Sequence, residues 1–147
     1  ENAYALGGVA GHAGLFSTAA DLAVFAQMML NGGEYNGTRI VADSTVALFS
    51  TRAAGTRALG WDTCGGSGSC GKYLGEDAYG HTGFTGTSIW MDPERGVFVI
   101  LLMNRVNPHG IATRHAQLRR DVADAVQAAI HDAPLIDWEA RRAVTPP

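Results

Sequence analysis

The segment His81-Thr82-Gly83-Phe84-Thr85-Gly86-Thr87 combines residue types that suit chemistry at a carbonyl group. A histidine imidazole can relay protons near neutral pH, and the threonine beside it adds a hydroxyl that donates and accepts hydrogen bonds. Gly83 and Gly86 let a substrate approach the backbone closely, and an exposed strand amide can face the negative charge that develops on a carbonyl oxygen. The alternative for His81 is a structural histidine, hydrogen-bonded at the end of a strand.

Two cysteines, Cys64 and Cys70, flank the flexible sequence Gly65-Gly66-Ser67-Gly68-Ser69. A loop this short can bring the two sulfurs together without strain, which favours a local disulfide and an oxidising compartment. Two free thiols in a loop are the alternative. We expect no metal and no cofactor, because neither a second cysteine pair nor a histidine at zinc-ligand spacing lies nearby.

Composition excludes several classes of partner. The formal net charge is −3 and the basic residues are scattered, so nucleic acid is not an expected partner. The longest apolar run, Val97 to Met103, is far shorter than the roughly 20 residues of a membrane-spanning helix. Glu1-Asn2-Ala3-Tyr4 lacks the basic and apolar regions of a targeting signal. We therefore expect a chain that begins within a longer protein, with no membrane span in this segment.

Two helices are predicted before the cysteine loop. Thr18 and Asp21 fit a capping box, and Asn31-Gly32-Gly33 is a stop signal, which predicts a helix over about 18–31. Its apolar face holds Leu22, Phe25, Met28 and Met29. A second, short helix is predicted behind Asp43 as its N-cap.

A β-hairpin and a last helix follow the cysteine loop. Thr87–Met91 and Val97–Met103 are rich in strand-forming residues, and Asp92-Pro93-Glu94-Arg95-Gly96 is turn sequence. Val97–Met103 is apolar at every position, which predicts a central strand covered on both faces. A helix over about 113–131 is predicted to cover the sheet with Leu118, Val122, Val126, Ala129 and Ile130, leaving Arg119 and Arg120 on a solvated face.

The predicted order of elements gives an α+β fold, an antiparallel sheet flanked by helices, with too few strands to stand alone. A doubly covered strand in so small a sheet leaves an edge that something else must pair with. We expect the remaining strands to come from another part of the protein or from another chain.

His81-Thr82-Gly83 resembles the third active-site motif, Lys-Thr-Gly or His-Thr-Gly, of the serine β-lactamase and penicillin-binding-protein superfamily. The flanking segments are similar to that family in the same order. Before the motif, the glycine-rich Gly11 to Leu22 resembles the family's entry to a helix, and Leu59-Gly60-Trp61 resembles the family's preceding strand. After the motif, Trp90 to Pro93 and Val99 to Asn104 resemble the family's hairpin. The resemblance covers roughly residues 5–130 and implies the C-terminal part of a β-lactamase/transpeptidase-like fold.

The resemblance implies roles for the residues of the motif. The backbone amide of Phe84 would be one oxyanion-hole donor, His81 would relay protons, and Thr82 would hydrogen-bond the substrate or the relay. Gly83, Thr85 and Gly86 would line the substrate-binding strand. His12 could approach the cleft from its glycine-rich turn, or it could be a structural turn residue.

The nucleophile that the family uses, a Ser-x-x-Lys serine on a helix, is not expected in this chain. Ser69-Cys70-Gly71-Lys72 satisfies the pattern, yet the surrounding glycines oppose the helix that would stack serine and lysine on one face. The family's Tyr-x-Asn and Ser-x-Asn motifs do not occur either. We expect the nucleophile on the N-terminal part of the same protein, and this chain alone to be inactive.

The resemblance implies a serine hydrolase that forms an acyl-enzyme on an ester, amide or β-lactam bond, in the periplasm or outside a bacterial cell. A largely neutral His81, in place of lysine, attracts a substrate carboxylate less, which favours esters or amides without one. A true β-lactamase or a peptidoglycan peptidase remains an alternative within enzymes. The alternative from another class is a non-catalytic binding or regulatory module, which an upstream sequence lacking both Ser-x-x-Lys and Tyr-x-Asn would favour.

Overall fold

The computed structural model describes residues 2–8, 10–11, 13–65, 69–108 and 114–144. In chain order, the elements are α1 (Asn2–Ala5), α2 (Ala19–Leu30), β1 (Glu34–Tyr35), β2 (Thr38–Arg39), α3 (Asp43–Ser50), β3 (Asp62–Thr63), β4 (Tyr79–Thr82), β5 (Ser88–Asp92), β6 (Val97–Leu101), α4 (His115–Ala128) and α5 (Trp138–Val144).

An antiparallel sheet of four strands, in the order β3-β4-β5-β6, forms the centre of the fold. The predicted hairpin is confirmed as β5 and β6, which pair Trp90 with Val99 across residues 93–96. Helices lie against this sheet, so the predicted α+β class is confirmed.

The two faces of the sheet carry separate apolar clusters because successive side chains of a strand point to opposite sides. Tyr79 and Met91, which are paired across β4 and β5, pack with Met28 and Met29 of α2. Trp90 lies on the opposite face, is 1% exposed, and packs with Ala123 of α4. Helices therefore cover both sides, as the apolar pattern of the hairpin indicated.

The first predicted helix is confirmed as α2. The Thr18 hydroxyl accepts a hydrogen bond from the Asp21 amide at 3.2 Å, which satisfies one of the free N–H groups at the helix start. Gly32 and Gly33 then adopt positive φ angles of 65° and 92° and end the helix. Met28 and Met29 are buried as expected, whereas Phe25 is 38% exposed and contacts the Trp61 ring, with the centroids 6.2 Å apart.

The second predicted helix is confirmed as α3, but its cap is not Asp43. The cap position is Ala42, whose side chain makes no capping hydrogen bond, and Asp43 is the first helical residue. A carboxylate in the first turn still stabilises the helix, because it interacts with the positive end of the helix dipole.

Within this chain the central strand predicted at Val97–Met103 is an edge strand, and whether a strand from another part of the protein pairs with its outer edge stays a prediction. β6 lies at the end of the strand order, and among the described residues it pairs with β5 alone. Both α2 and α4 pack against it, which explains why every position is apolar. A continuous apolar run indicates that both faces of a strand are covered. It does not indicate whether both edges of the strand are paired.

The predicted last helix is observed as α4, although residue 113 lies outside the described residues and the helix ends at Ala128. Its predicted apolar stripe is wrong. The fully buried positions are Arg119, Ala123 and Gln127, whereas Leu118 is 43% exposed. The buried face of α4 is therefore displaced by one residue from the predicted apolar stripe. Arg119 lies on this buried face and donates hydrogen bonds to carbonyl groups of the β4–β5 connection.

Within the part of the chain that the structure describes, no helix combines the length and apolarity that crossing a membrane requires.

Candidate active site

The end of β4 is locally an edge of the sheet. Of the residues in β4, the two-residue strand β3 pairs with Tyr79 and Gly80 alone. His81 and Thr82 therefore have β5 on one side and no strand partner on the other among the described residues. The strand expected at Leu59–Trp61 begins instead at Asp62, because Gly60 bends the chain with a φ of 85°. As a result His81 is exposed at the surface.

Two hydrogen bonds define the protonation pattern of the His81 ring. Its Nδ1 atom lies 2.8 Å from the carbonyl oxygen of Thr82, and its Nε2 atom lies 3.2 Å from Nη1 of Arg57. A carbonyl only accepts and a guanidinium only donates, so Nδ1 carries the proton and Nε2 is the acceptor.

Arg57 is a site residue that the sequence analysis missed. Its Nε atom forms an ion pair with Asp62 Oδ1 at 3.0 Å, which orients the guanidinium toward His81. The Arg57 side chain is 60% exposed, so its charge also faces solvent beside the imidazole. The only sequence signal was a basic residue just before a short strand, and such residues are common on protein surfaces.

The connection between β4 and β5, residues 83–87, contains two neighbouring backbone amides that donate no hydrogen bond among the described residues. The Gly83 amide donates to Thr87 O at 2.8 Å and the Gly86 amide donates to Gly83 O at 3.0 Å. The amides of Phe84 and Thr85 have no hydrogen-bond acceptor among the described residues. Two neighbouring free N–H groups at an exposed turn can stabilise an anionic oxygen.

The expectation that the Phe84 amide lies on a strand is wrong. β4 ends at Thr82, so Phe84 lies in the turn, with its side chain 76% exposed. A turn explains the free amide better than a strand, because successive strand amides point to alternate sides. Gly86 has a φ of 111°, and a Cβ atom there would lie 2.9 Å from Met103, so this turn needs glycine for its own packing.

Each carbonyl oxygen of residues 83–86 accepts a hydrogen bond from Arg105 or Arg119. Arg119 of α4 donates from Nη2 to Gly83 O at 2.6 Å and from Nε to Gly86 O at 2.8 Å. Arg105 donates from Nε to Phe84 O and from its backbone amide to Thr85 O, both at 2.7 Å. Arg119 was predicted on a solvated helix face, but it is 8% exposed and bonds to the candidate site.

The predicted disulfide joins Cys64 to Cys70, with the two Cα atoms 5.7 Å apart. Both residues are buried and pack with Trp90 and Ala123. The pair therefore connects the chain between β3 and β4 to the core beneath α4.

The structure leaves Ser69 and Lys72 outside any helix. The Lys72 ammonium lies 4.0 Å from Asp137 and 4.7 Å above the Tyr73 ring. His12 lies outside the described residues, so its predicted approach to the cleft stays a prediction.

A groove of about 540 Å³ lies between Met103, which is close to Gly86, and the side of α4 that includes Gln117 and Leu118. It is mostly apolar and carries none of the free amides, so it is not the candidate active site. Across the described ranges, no group of histidine, cysteine, aspartate or glutamate side chains could hold a metal ion.

Three comparisons identify the relatives of this chain. A family model described as beta-lactamase matches residues 1–124. Proteins named D-alanyl-D-alanine carboxypeptidase from Salmonella gallinarum and Salmonella paratyphi B are 44% and 43% identical to the chain in alignments of 111 residues that cover 72% of this chain. The alignments cover 25% of each relative, so the chain spans about a quarter of the curated relatives it matches.

A solved structure agrees with these relatives. The crystal structure of a β-lactamase from Mycobacterium bovis aligns with a TM-score of 0.61 at 25% identity, covering 76% of this chain and 44% of that one. Since the family model matches most of the sequence and the fold agrees, this chain belongs to the beta-lactamase family.

Proposed function

We propose that this chain forms one wall of the active site of a serine hydrolase that acts through an acyl-enzyme. The Phe84 amide binds the oxygen of the attacked carbonyl, and His81 and Thr82 supply the proton relay and a hydrogen bond to the substrate. The nucleophilic serine and its base come from the N-terminal part of the protein. Family membership supports hydrolase chemistry, and the residue roles rest on the geometry of the turn.

The free amide of Phe84 carries this proposal. An amide that is exposed, unpaired and fixed by a hydrogen-bonded turn needs no rearrangement to bind a developing oxyanion. Removing one such donor from a hydrolase typically lowers kcat by about 100-fold to 1000-fold. The Phe84 amide can be removed without changing the side chain by semisynthesis with phenyllactate, which places an ester oxygen at that position. We expect the loss in kcat to fall in this range.

The division of the site between two parts of the protein gives the first test. We expect no turnover of nitrocefin or of p-nitrophenyl esters by this chain alone, because the part of the family's machinery that attacks the substrate is missing. Turnover should appear when the N-terminal part is restored, covalently or as a separate chain.

Ser69 provides the internal control for this test. Ser69→Ala should leave turnover by the restored protein unchanged, because residue 69 lies outside any helix and carries no role in the proposal. Turnover by this chain alone that Ser69→Ala abolishes would show that the nucleophile is here and that the assignment to the N-terminal part is wrong.

We also propose that the protein works in the periplasm or outside the cell. The buried Cys64–Cys70 pair and the bacterial relatives support an oxidising compartment. Protein isolated from its native host under acid quench should resist alkylation at both cysteines until a reductant is added, as measured by mass spectrometry. Quantitative alkylation without reductant would contradict this location.

A further inference from the structure

We propose that Arg119 of α4 is a positioning residue for the oxyanion site: its guanidinium holds the Gly83–Phe84 peptide so that the Phe84 N–H faces the substrate, and it strengthens that N–H as a donor. This inference rests on the proposed function above. It assigns a role to a buried cation that lies 36 residues along the chain from the turn it grips.

The Gly83–Phe84 peptide unit links Arg119 to the free amide. The carbonyl of Gly83 and the N–H of Phe84 belong to the same planar peptide group. Arg119 Nη2 donates to that carbonyl at 2.6 Å, and the N–H on the opposite side of the group is free among the described residues. A cation bonded to the oxygen draws electron density through the conjugated unit, so the opposite N–H becomes more positive and donates more strongly.

The neighbouring peptide repeats the arrangement. The Phe84 carbonyl accepts from Arg105 Nε at 2.7 Å, and the N–H of the same unit, on Thr85, is also free in the described part of the chain. Arg105 additionally lies over the Phe84 ring at 4.8 Å. Two successive peptide units therefore have a guanidinium on the oxygen side and an unpaired donor on the solvent side.

The burial of Arg119 indicates a specific role. The residue is 8% exposed, and the described residues provide it with no carboxylate partner within salt-bridge distance. Burial, followed by repulsion from Arg105, lowers the pKa of Arg119, but a guanidinium remains charged in proteins. Burying an unpaired cation is costly, and here the compensation consists of two carbonyl oxygens in the turn.

The forked shape of arginine matters at this position. Nη2 and Nε reach Gly83 O and Gly86 O together, while the Gly86 amide closes the turn onto Gly83 O at 3.0 Å. A lysine ammonium is a compact point charge and cannot reproduce this two-armed contact. Both the charge and the geometry should therefore be required.

The test uses the full protein and compares Arg119→Met and Arg119→Lys with Arg120→Met. Arg120 is the neighbouring residue of α4 and bonds to Glu139 of α5, so it controls for loss of an arginine from this helix. We expect Arg119→Met to lower kcat by about 10-fold to 100-fold and to change KM by less than about threefold, because the lost interaction acts on the transition state. Arg119→Lys should recover only a small part of kcat, and Arg120→Met should stay close to the parent.

A spectroscopic measurement separates this role from a purely structural one. In protein labelled with ¹⁵N-phenylalanine, the Phe84 amide is assigned by its loss in Phe84→Tyr. Its proton signal should move upfield in Arg119→Met while the signals of Phe25 and Phe98 stay in place. Folded Arg119→Met protein with unchanged kcat, or with an unmoved Phe84 signal, would overturn the inference. If the parent protein hydrolyses none of the test substrates, the proposed function fails, and the amide signal alone still decides the role of Arg119.

Discussion

Arg57 gives the site a positive charge that His81 alone does not provide. Its Nη1 atom lies 3.2 Å from the imidazole, and its side chain is 60% exposed. The sequence favoured substrates without a carboxylate because a neutral histidine replaces lysine. Arg57 places an exposed guanidinium beside His81, although its Nε is paired with Asp62, so kinetics on anionic and neutral substrates can test whether it binds a carboxylate.

We expect Arg57→Gln to raise KM about threefold to tenfold for substrates that carry a terminal carboxylate, since it removes one exposed charge-assisted contact. Neutral esters should change by less than about twofold. The measurement is steady-state kinetics of the full protein with a matched anionic and neutral substrate pair. Arg39→Gln, which removes an arginine paired with Glu34 on the distant β1–β2 hairpin, is the control.

His81→Lys extends the same comparison. A lysine that anchors a carboxylate should improve only the anionic substrate. Equal effects of Arg57→Gln on both substrates would show that Arg57 orients His81 and does not bind a carboxylate.

At the level of single residues, the sequence predicted His81, Thr82 and Phe84 because they are contiguous in a recognisable motif. It did not predict Arg57 or Arg119. Arg57 precedes its partner His81 by 24 residues in the sequence, and Arg119 follows its partner Gly83 by 36 residues. No periodic pattern connects such distant positions. Only the pairing of β3 with β4 and the packing of α4 bring them together.

Among the elements, β4 runs from the core to the surface along one face of the sheet. His81 is exposed, whereas Tyr79, on the same face of the strand, is 2% exposed beneath α2. The Trp61 ring packs edge-on against Tyr79, with the centroids 5.8 Å apart. Burial raises the pKa of Tyr79 to about 12.

This burial predicts how stability depends on pH. The unfolded chain ionises Tyr79 near its ordinary value of about 10, before the folded protein does. The contribution to stability is therefore complete below pH 10 and is lost as the pH rises from about 10 to about 12. Tyr79→Phe should reduce this alkaline loss, as measured by urea unfolding at pH 9 and pH 11.

Tyr4→Phe is the control for the loss of a phenol, because Tyr4 is 88% exposed. An alkaline slope that is the same in the parent protein and in Tyr79→Phe would contradict the prediction.

Local signals predicted the elements whose ends are fixed by neighbouring residues. The capping of α2 by Thr18 and the turn after Asp92 are examples. The errors concern long-range packing. Whether β6 has a second partner, and which side of α4 is buried, depends on what packs against them, and an apolar pattern does not record that. The clearest example is α4, where Arg119 is buried and the neighbouring Leu118, which the apolar pattern predicted to be buried, is exposed.

At the scale of the whole molecule, helices cover both faces of the sheet, but one of its edges is not covered by a strand among the described residues. The faces carry α2 and α4, but the outer edge of β6 is without a strand partner among the described residues, and Leu15 and Phe16 are almost fully exposed. An unpaired strand edge and exposed large apolar side chains are each unusual for a complete soluble domain. They support the expectation that further strands come from another part of the protein.

The strand order has a consequence for how the protein is made. Each strand of the sheet pairs with the next one along the chain, so the contacts that build it are local in sequence. Topologies of low contact order close quickly, since little loop entropy must be lost before each pair forms. We therefore expect the strand pairings of this sheet to form early when this part of the chain folds.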